Sequence, residues 1–323
     1  MLTLPAVTID KVAYNGCTIV RLNDDNIGDV TALHKTVYGK PPTHDFYYRK
    51  YNTGFIGKKY LGYIAYNGEK KPVAFNGVVP CYVKTDGKLI VAAQCADAMT
   101  HPQYRMRGLF TKVGALLIML CKQEGIALLF GFPNQNSRQA MVTKLGWQQM
   151  GYMDNFTIPV PTIPIKSIFS RLLFLNGLYK MFERLVIAKY LSGDMGVANS
   201  TLRDGYNGIY RDDTYINYKA FTRTLVIKAG KSKVWISLTN GALMVGDIKL
   251  LGELDEVITI LKKLAIRLGL RKIHFITSEN TILHKLFSEK YQPTQVFPVI
   301  FQAIQCDVDT ERIKFVFADI DIF

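Results

Sequence analysis

With 323 residues, 49% hydrophobic and 20% charged, the chain can bury a sizeable core and has room for two domains, which excludes a disordered or low-complexity polypeptide. Its five cysteines (Cys17, Cys81, Cys95, Cys121 and Cys306) are scattered without a C-x-x-C pair, and its five histidines lack ligand spacing, so neither a disulfide framework nor a metal is expected. The net charge of +14 suits a polyanionic cofactor, nucleic acid or an anionic membrane, but Lys and Arg are dispersed, with no run longer than Lys58-Lys59 or Lys70-Lys71, so nucleic acid is not an expected partner.

The segment Met1-Leu2-Thr3-Leu4-Pro5 lacks the basic start and apolar centre of a signal peptide, and no apolar run is long enough to span a bilayer, so a cytoplasmic location is expected. Thr18 to Arg21 predicts a strand and Asp24 to Val37 a helix. Three consecutive strands follow, Lys59 to Tyr66, Val73 to Val83 and Leu89 to Met99, with hairpin turns expected at Asn67-Gly68 and Asp86-Gly87. The third, broken by Gln94 and Asp97, runs into Thr100-His101-Pro102-Gln103-Tyr104-Arg105-Met106-Arg107-Gly108, and Leu109 to Cys121 then carries apolar residues at helical spacing. Gly125 closes that helix, and Ile126 to Phe132 predicts a buried strand. Pro133-Asn134-Gln135-Asn136-Ser137 opens a further helix ending at Lys144-Leu145-Gly146-Trp147.

A strand, a glycine-marked basic turn and a helix make a phosphate cradle, because the first N–H groups of the helix have no intrahelical partner and the helix dipole adds positive charge there. Arg105 and Arg107 would supply counter-charge.

The turn resembles the coenzyme A loop of the GNAT superfamily of acyl-CoA N-acyltransferases, Gln/Arg-x-x-Gly-x-Gly/Ala after a strand. Arg105 and Gly108 match, while Phe110 stands where the family has Gly or Ala. Thr100-His101-Pro102-Gln103-Tyr104 resembles the family's hydrophobic-Asp-Pro-x-Tyr approach, and Leu145-Gly146-Trp147 its Leu-Gly-Phe signature. The resemblance implies an α/β fold with a mixed sheet. It also implies an acyl-CoA donor, most simply acetyl-CoA, and direct transfer to an amine on a small molecule or peptide. The backbone of Ala98, Met99 and Thr100 would face the pantetheine and thioester, Arg105, Met106, Arg107, Gly108, Leu109 and Phe110 would hold the pyrophosphate, and Asn136, or else Asn134, would touch the coenzyme. Capping the helix is the competing role for both asparagines.

Acyl transfer needs an amine made neutral at attack. Where many members of the family carry a Glu this chain has Gln94 and Cys95, and their thiolate-protonating Tyr falls near Val142, so Asp97 becomes the candidate base. A hydrogen-bonded structural Asp is its competing role.

The second half repeats the first with a shift of 144 residues: Gly125 falls on Gly269, Asn136 on Asn280 and Trp147 on Tyr291. Asp212 to Ala220 predicts a helix, and Thr224 to Ile227, Lys233 to Leu238 and Leu243 to Ile248 predict strands, the last two parted by Thr239-Asn240-Gly241. The repeated loop keeps Gly252 but loses both arginines and gains Glu253, which would repel a phosphate. Two GNAT-like domains in tandem are therefore expected, with coenzyme bound in the first (1–158) and a diverged copy in the second (196–323). They flank a connector (159–195) that starts at Pro159-Val160-Pro161-Thr162-Ile163-Pro164. Within the connector, Ile165 to Leu191 predicts a basic amphipathic helix, suited to packing between domains or to lying on a membrane surface. The rival readings are a Fem-like transferase using an aminoacyl-tRNA donor, which the basic charge and paired domains allow, and a non-catalytic acyl-CoA-binding protein.

Overall fold

In the computed structural model, which describes residues 9–40, 42–43, 45–165, 169, 176–239, 241–305 and 308–323, an Asn15-Gly16 turn joins β1 (Lys11–Tyr14) to β2 (Cys17–Arg21). Both turn residues have positive φ (48° and 73°), as a two-residue hairpin with right-handed strand twist requires. Then come α1 (Ile27–Tyr38), α2 (Phe46–Tyr51) and three antiparallel strands, β3 (Gly62–Tyr66), β4 (Pro72–Thr85) and β5 (Lys88–Thr100). Asp86 and Gly87 (φ 48° and 79°) make the expected tight turn. The Asn67-Gly68 turn is longer than expected. The Asn67 side chain accepts the N–H groups of Glu69 and Lys71, and Lys70, at φ 60°, takes the left-handed position.

Helix α3 (Leu109–Gln123) carries the chain to β6 (Leu128–Gly131), parallel to β5, and α4 (Gln135–Leu145) follows. Leu109, Val113, Leu116, Leu117 and Leu120 recur on one face of α3 and join a core with Ile19, Ala65, Val78, Ala93, Leu129 and Trp147. Gly114 lets α4 come close, since a Cβ there would lie 2.7 Å from Leu145. The outer edge of β6 pairs antiparallel with residues 300–303 of the last strand, β13 (Pro293–Ala303).

The chain divides into two compact units that are not contiguous halves: Met1–Gly151 with Pro298–Thr310, and Tyr152–Phe297 with Glu311–Phe323. Strand pairing decides which residues belong to each unit. Residues 153–159 of β7 (Gln148–Pro159) pair with β12 (Lys272–Ser278) and belong to the second unit, whereas the end of β13 completes the sheet of the first.

In the second unit, β9 (Thr224–Ala229), β10 (Ser232–Thr239) and β11 (Ala242–Lys249) run antiparallel, and α8 (Leu254–Leu268) leads to β12, parallel to β11. Helix α9 (Ile282–Ser288) comes next, and α5 (Asn176–Ala188), α6 (Ser200–Arg203), α7 (Asp213–Lys219) and the short β8 (Gly208–Ile209) precede β9. Asn280, set opposite Asn136 by the 144-residue shift, does not start a helix as that alignment implies: Thr281 caps α9, accepting the His284 N–H, and Asn280 is left-handed at φ 71°. Of the stretch 165–191, residues 166–168 and 170–175 lie outside the described residues, as do Asn240 and Cys306. Among the described residues, no helix is long and apolar enough to cross a membrane.

Candidate functional site

The site of the first unit begins where two strands part. β5 and β6 are paired only from Ala92/Leu128 to Cys95/Gly131, while β5 stays paired to β4 as far as Thr100. Between Phe75↔Met99 and Gly77↔Ala96 the β5 strand holds one extra residue, a bulge, and Asp97 takes a positive φ of 53°. A non-glycine residue in that region stores strain of about 1–2 kcal/mol, which the surrounding pairings hold in place. Past the bulge the His101 N–H bonds the Val73 carbonyl at 2.8 Å, so by strand alternation the Thr100 N–H faces the other side, where β6 has ended. Ala98 and Thr100 are half-buried there, and the Met99 side chain is buried in the core.

Pro102–Tyr104 then forms one 3₁₀ turn, capped by His101, whose Nδ1 accepts the Gln103 N–H. Met106 (φ 63°) and Gly108 (φ 74°) are left-handed on either side of Arg107, an alternation that turns successive N–H groups into one concave nest. Gly108 is the N-cap of α3, and no side chain caps the helix, whose first turn holds no acid. Glycine is required there twice over, by its φ and because a Cβ would sit 2.7 Å from the Tyr14 hydroxyl. Asn15 Nδ2 donates to the Arg107 carbonyl (3.2 Å), and the Arg107 guanidinium lies over the Tyr104 ring at 4.6 Å. Arg105, Met106, Arg107 and Gly108 are exposed, while Leu109 is buried. Phe110 directs its ring onto the core under α3.

The two asparagines have different places. Asn134 caps α4, its Oδ1 accepting the Ser137 N–H at 3.0 Å, whereas Asn136 is exposed in the first turn and its side chain has no hydrogen-bond partner among the described residues.

Asp97 is not isolated. Its Oδ2 takes the Lys50 ammonium at 2.5 Å and the Tyr51 hydroxyl at 3.0 Å, and Lys50 is 1% exposed. Tyr51 reaches it across Gly77, where a Cβ would lie 2.6 Å from the tyrosine ring. The imidazole of His34 packs between Tyr38 (4.7 Å) and Tyr47 (5.9 Å), and burial holds its pKa below the usual value while the Asp97 charge pulls it upward. Lys50, Tyr51 and His34 were not anticipated as a group. For Lys50 and Tyr51 the signal was the unassigned run Phe46-Tyr47-Tyr48-Arg49-Lys50-Tyr51, too aromatic and basic for a plain loop. The Glu and Tyr positions of the family hold Gln94 and Val142, one buried on β5 and the other exposed on α4.

Residues 18–150 match the family model of an acetyltransferase (GNAT) domain. The match spans β2, the bulge, the loop and both flanking helices, and so covers the site just described. Solved structures extend the likeness at the level of fold. A GCN5-related N-acetyltransferase from Kribbella flavida superposes with a TM-score of 0.55 at 15% identity, covering 90% of this chain and 72% of its own. A probable N-acyltransferase of unknown function from Enterococcus faecalis gives 0.56 at 10% identity (90% and 73%). A putative acetyltransferase from Pyrococcus horikoshii gives 0.51 at 14% identity (95% and 97%). No curated protein matches the chain.

The second unit also has a bulged strand. β11 holds an extra residue, Gly246, between Trp235↔Asp247 and Ile236↔Val245, just after its parallel pairing with β12 ends at Val245/Phe275. The Phe323 ring covers that bulge, where a Cβ on Gly246 would meet it at 2.1 Å, and the Phe315 N–H and carbonyl bond Ser278. Asp319 is fixed beside them by buried Arg211 (Nη2–Oδ1 2.7 Å), which also pairs with Asp247 at 2.6 Å. Helix α8 starts with Glu253, Asp255 and Glu256. Among the described residues, no group of His, Cys, Asp or Glu is arranged to hold a metal.

Proposed function

We propose that the protein is an acyl-CoA-dependent N-acyltransferase, most simply an acetyltransferase, which transfers the acyl group directly to an amine with no covalent intermediate. The observation that carries this is the conjunction of a strained bulge, a parted strand pair and an uncapped basic helix start within one stretch from Ala96 to Thr111. The nest at Arg105 to Phe110 would take the pyrophosphate, and Asn136 would reach the coenzyme from α4. The backbone of Ala98 to Thr100 would bind the pantetheine and polarise the thioester carbonyl. The amine nitrogen attacks that carbon, the new C–N bond forms as the C–S bond breaks, and the leaving thiolate departs as free coenzyme A. Asp97 would receive the amine proton. Its Oδ1 has no partner among the described residues, while Lys50 and Tyr51 on Oδ2 fix its direction.

The second unit is proposed as a diverged copy with no coenzyme site. Three carboxylates at the start of α8 repel phosphate, and Phe323 fills the space that the bulge opens. The domain layout 1–158, 159–195 and 196–323 is then the order of copies along the chain, with their last strands exchanged.

A second reading, an acyl-CoA-binding protein without turnover, is favoured by one observation, the engagement of Asp97 by two side chains. Thermal denaturation with acetyl-CoA, longer acyl-CoAs and tRNA in parallel, followed by thiol release over an amine panel, separates the readings. A stabilising shift with acyl-CoA and thiol release with an amine supports the enzyme, a shift without release supports the binding protein, and a shift with tRNA alone supports a Fem-like donor.

A further inference from the structure

Helix α5 presents two apolar faces, and the fold of the second unit uses only one of them. Tyr179 and Ile187 are buried, the Tyr179 hydroxyl donates to the Leu268 carbonyl at the end of α8 (2.8 Å), and Val186 packs beside them. On another side of the helix, Leu178, Met181, Phe182 and Leu185 are 54%, 58%, 40% and 63% exposed. Their spacing of i, i+3, i+4 and i+7 places all four within an arc of about 100°. Four large apolar side chains in one stripe cost solubility, and a helix needs only its buried face to pack as a connector.

The charges around the stripe say what would cover it. Lys180 and Arg184 border the buried face of α5, and Lys189 follows its last turn. Alongside them lies a groove of about 680 Å3, to which Lys180, Arg184 and Arg223 contribute, with Glu183 as its acid and Tyr179 and Leu238 as its apolar walls. None of those three cations forms a salt bridge among the described residues. At about 100° per residue the groove-lining positions 179, 180, 183 and 184 fall on the opposite side of the helix from the stripe, the arrangement of an interfacial helix whose apolar face meets acyl chains and whose basic side meets anionic headgroups.

We infer that α5 is an interfacial helix that docks the protein on an anionic lipid surface, with Leu178, Met181, Phe182 and Leu185 in the acyl boundary and Lys180 and Arg184, on the other side of the helix, drawn to the anionic headgroups. The inference does not rest on the acyltransferase reading. Such docking would bring the protein to amines or acyl donors held at a membrane.

The test is co-sedimentation of the full chain with vesicles of phosphatidylcholine alone and of phosphatidylcholine with about one third phosphatidylglycerol. The wild type is expected to pellet with the anionic vesicles only and to be released at about 0.5 M salt. The exposed-face variant Leu178→Glu, Met181→Glu, Leu185→Glu should keep its Tm and bind at least about tenfold more weakly, and Lys180→Gln and Arg184→Gln should each weaken binding about fivefold. Equal binding to both vesicle types, no binding to either, or unchanged binding by the triple variant would overturn the proposal. So would a concentration-dependent dimer that the triple variant abolishes, with no vesicle binding, since the stripe would then face a second copy.

Discussion

The Lys50 ammonium meets the Asp97 carboxylate at 2.5 Å, a buried cation from α2 against the bulged residue of β5. Separating such a pair exposes the desolvation cost of the remaining charge, about 3–5 kcal/mol. Asp97→Ala should therefore lower the urea stability by about 3 kcal/mol, whether or not the residue works in catalysis. The double variant Lys50→Met, Asp97→Asn removes both charges and should regain most of that stability. If Asp97 accepts the amine proton, the double variant binds acetyl-CoA normally and still turns over at least about a hundredfold more slowly. Normal turnover in the stable double variant would remove Asp97 from the chemistry.

Gly108 and the two arginines should act on the proposed donor binding in separable ways. Gly108→Ala meets a left-handed penalty of about 1–2 kcal/mol and a Cβ position 2.7 Å from the Tyr14 hydroxyl, so it should lower both Tm and acetyl-CoA affinity. Arg105→Ala with Arg107→Ala removes exposed charge without backbone strain. It should leave Tm unchanged and weaken acetyl-CoA binding about a hundredfold at low salt, with a smaller difference at high salt. Calorimetric titration at two ionic strengths reads this.

Asn134 and Asn136 should divide stability from binding. Asn134→Ala loses the cap of α4 and about 1 kcal/mol of stability. Asn136→Ala should stay within about 0.5 kcal/mol of wild type, as exposed positions do, yet weaken acyl-CoA binding. The reverse pattern would put the coenzyme contact at the cap.

His34 and His274 set a pH dependence. Burial lowers the pKa of both, aided at His274 by the Lys272 charge and opposed at His34 by the Asp97 charge. Both rings are thus neutral in the fold while an unfolded histidine protonates near about 6.5. Below that pH the unfolded chain holds more protons, so stability is full above it and is lost as pH falls, by no more than about 1.4 kcal/mol per ring per pH unit. Urea midpoints at about pH 7.5 and 5.5 should fall with acidification in the wild type and fall less in His34→Gln, His274→Gln. Equal slopes would show that neither ring carries the effect.

The order of elements was legible because it is written in local signals. Strand periodicity, Asp86-Gly87 and the glycines at 108, 125 and 146 each fix a backbone choice within a few residues, and the arginines beside Gly108 make that turn the proposed phosphate site without any tertiary knowledge. Asn15-Gly16 was an equally local signal for the first hairpin.

What the sequence could not state is which distant groups meet. The bulge at Asp97 exists because β4 and β5 are out of step by one residue, and Lys50 and Tyr51 reach it only because Gly77 leaves room for the tyrosine ring. The affiliation of residues 298–310 with the first unit depends on pairing with β6, between segments about 170 positions apart in the chain. Left-handed turns, helix caps and periodicity are decided by neighbours along the chain, so composition and order determined the elements and the basic, glycine-marked loop before α3. Ion pairs, strand partners and exposed stripes are decided by neighbours in space, so only the tertiary structure fixed the surroundings of Asp97, the plug at Gly246 and the uncovered face of α5.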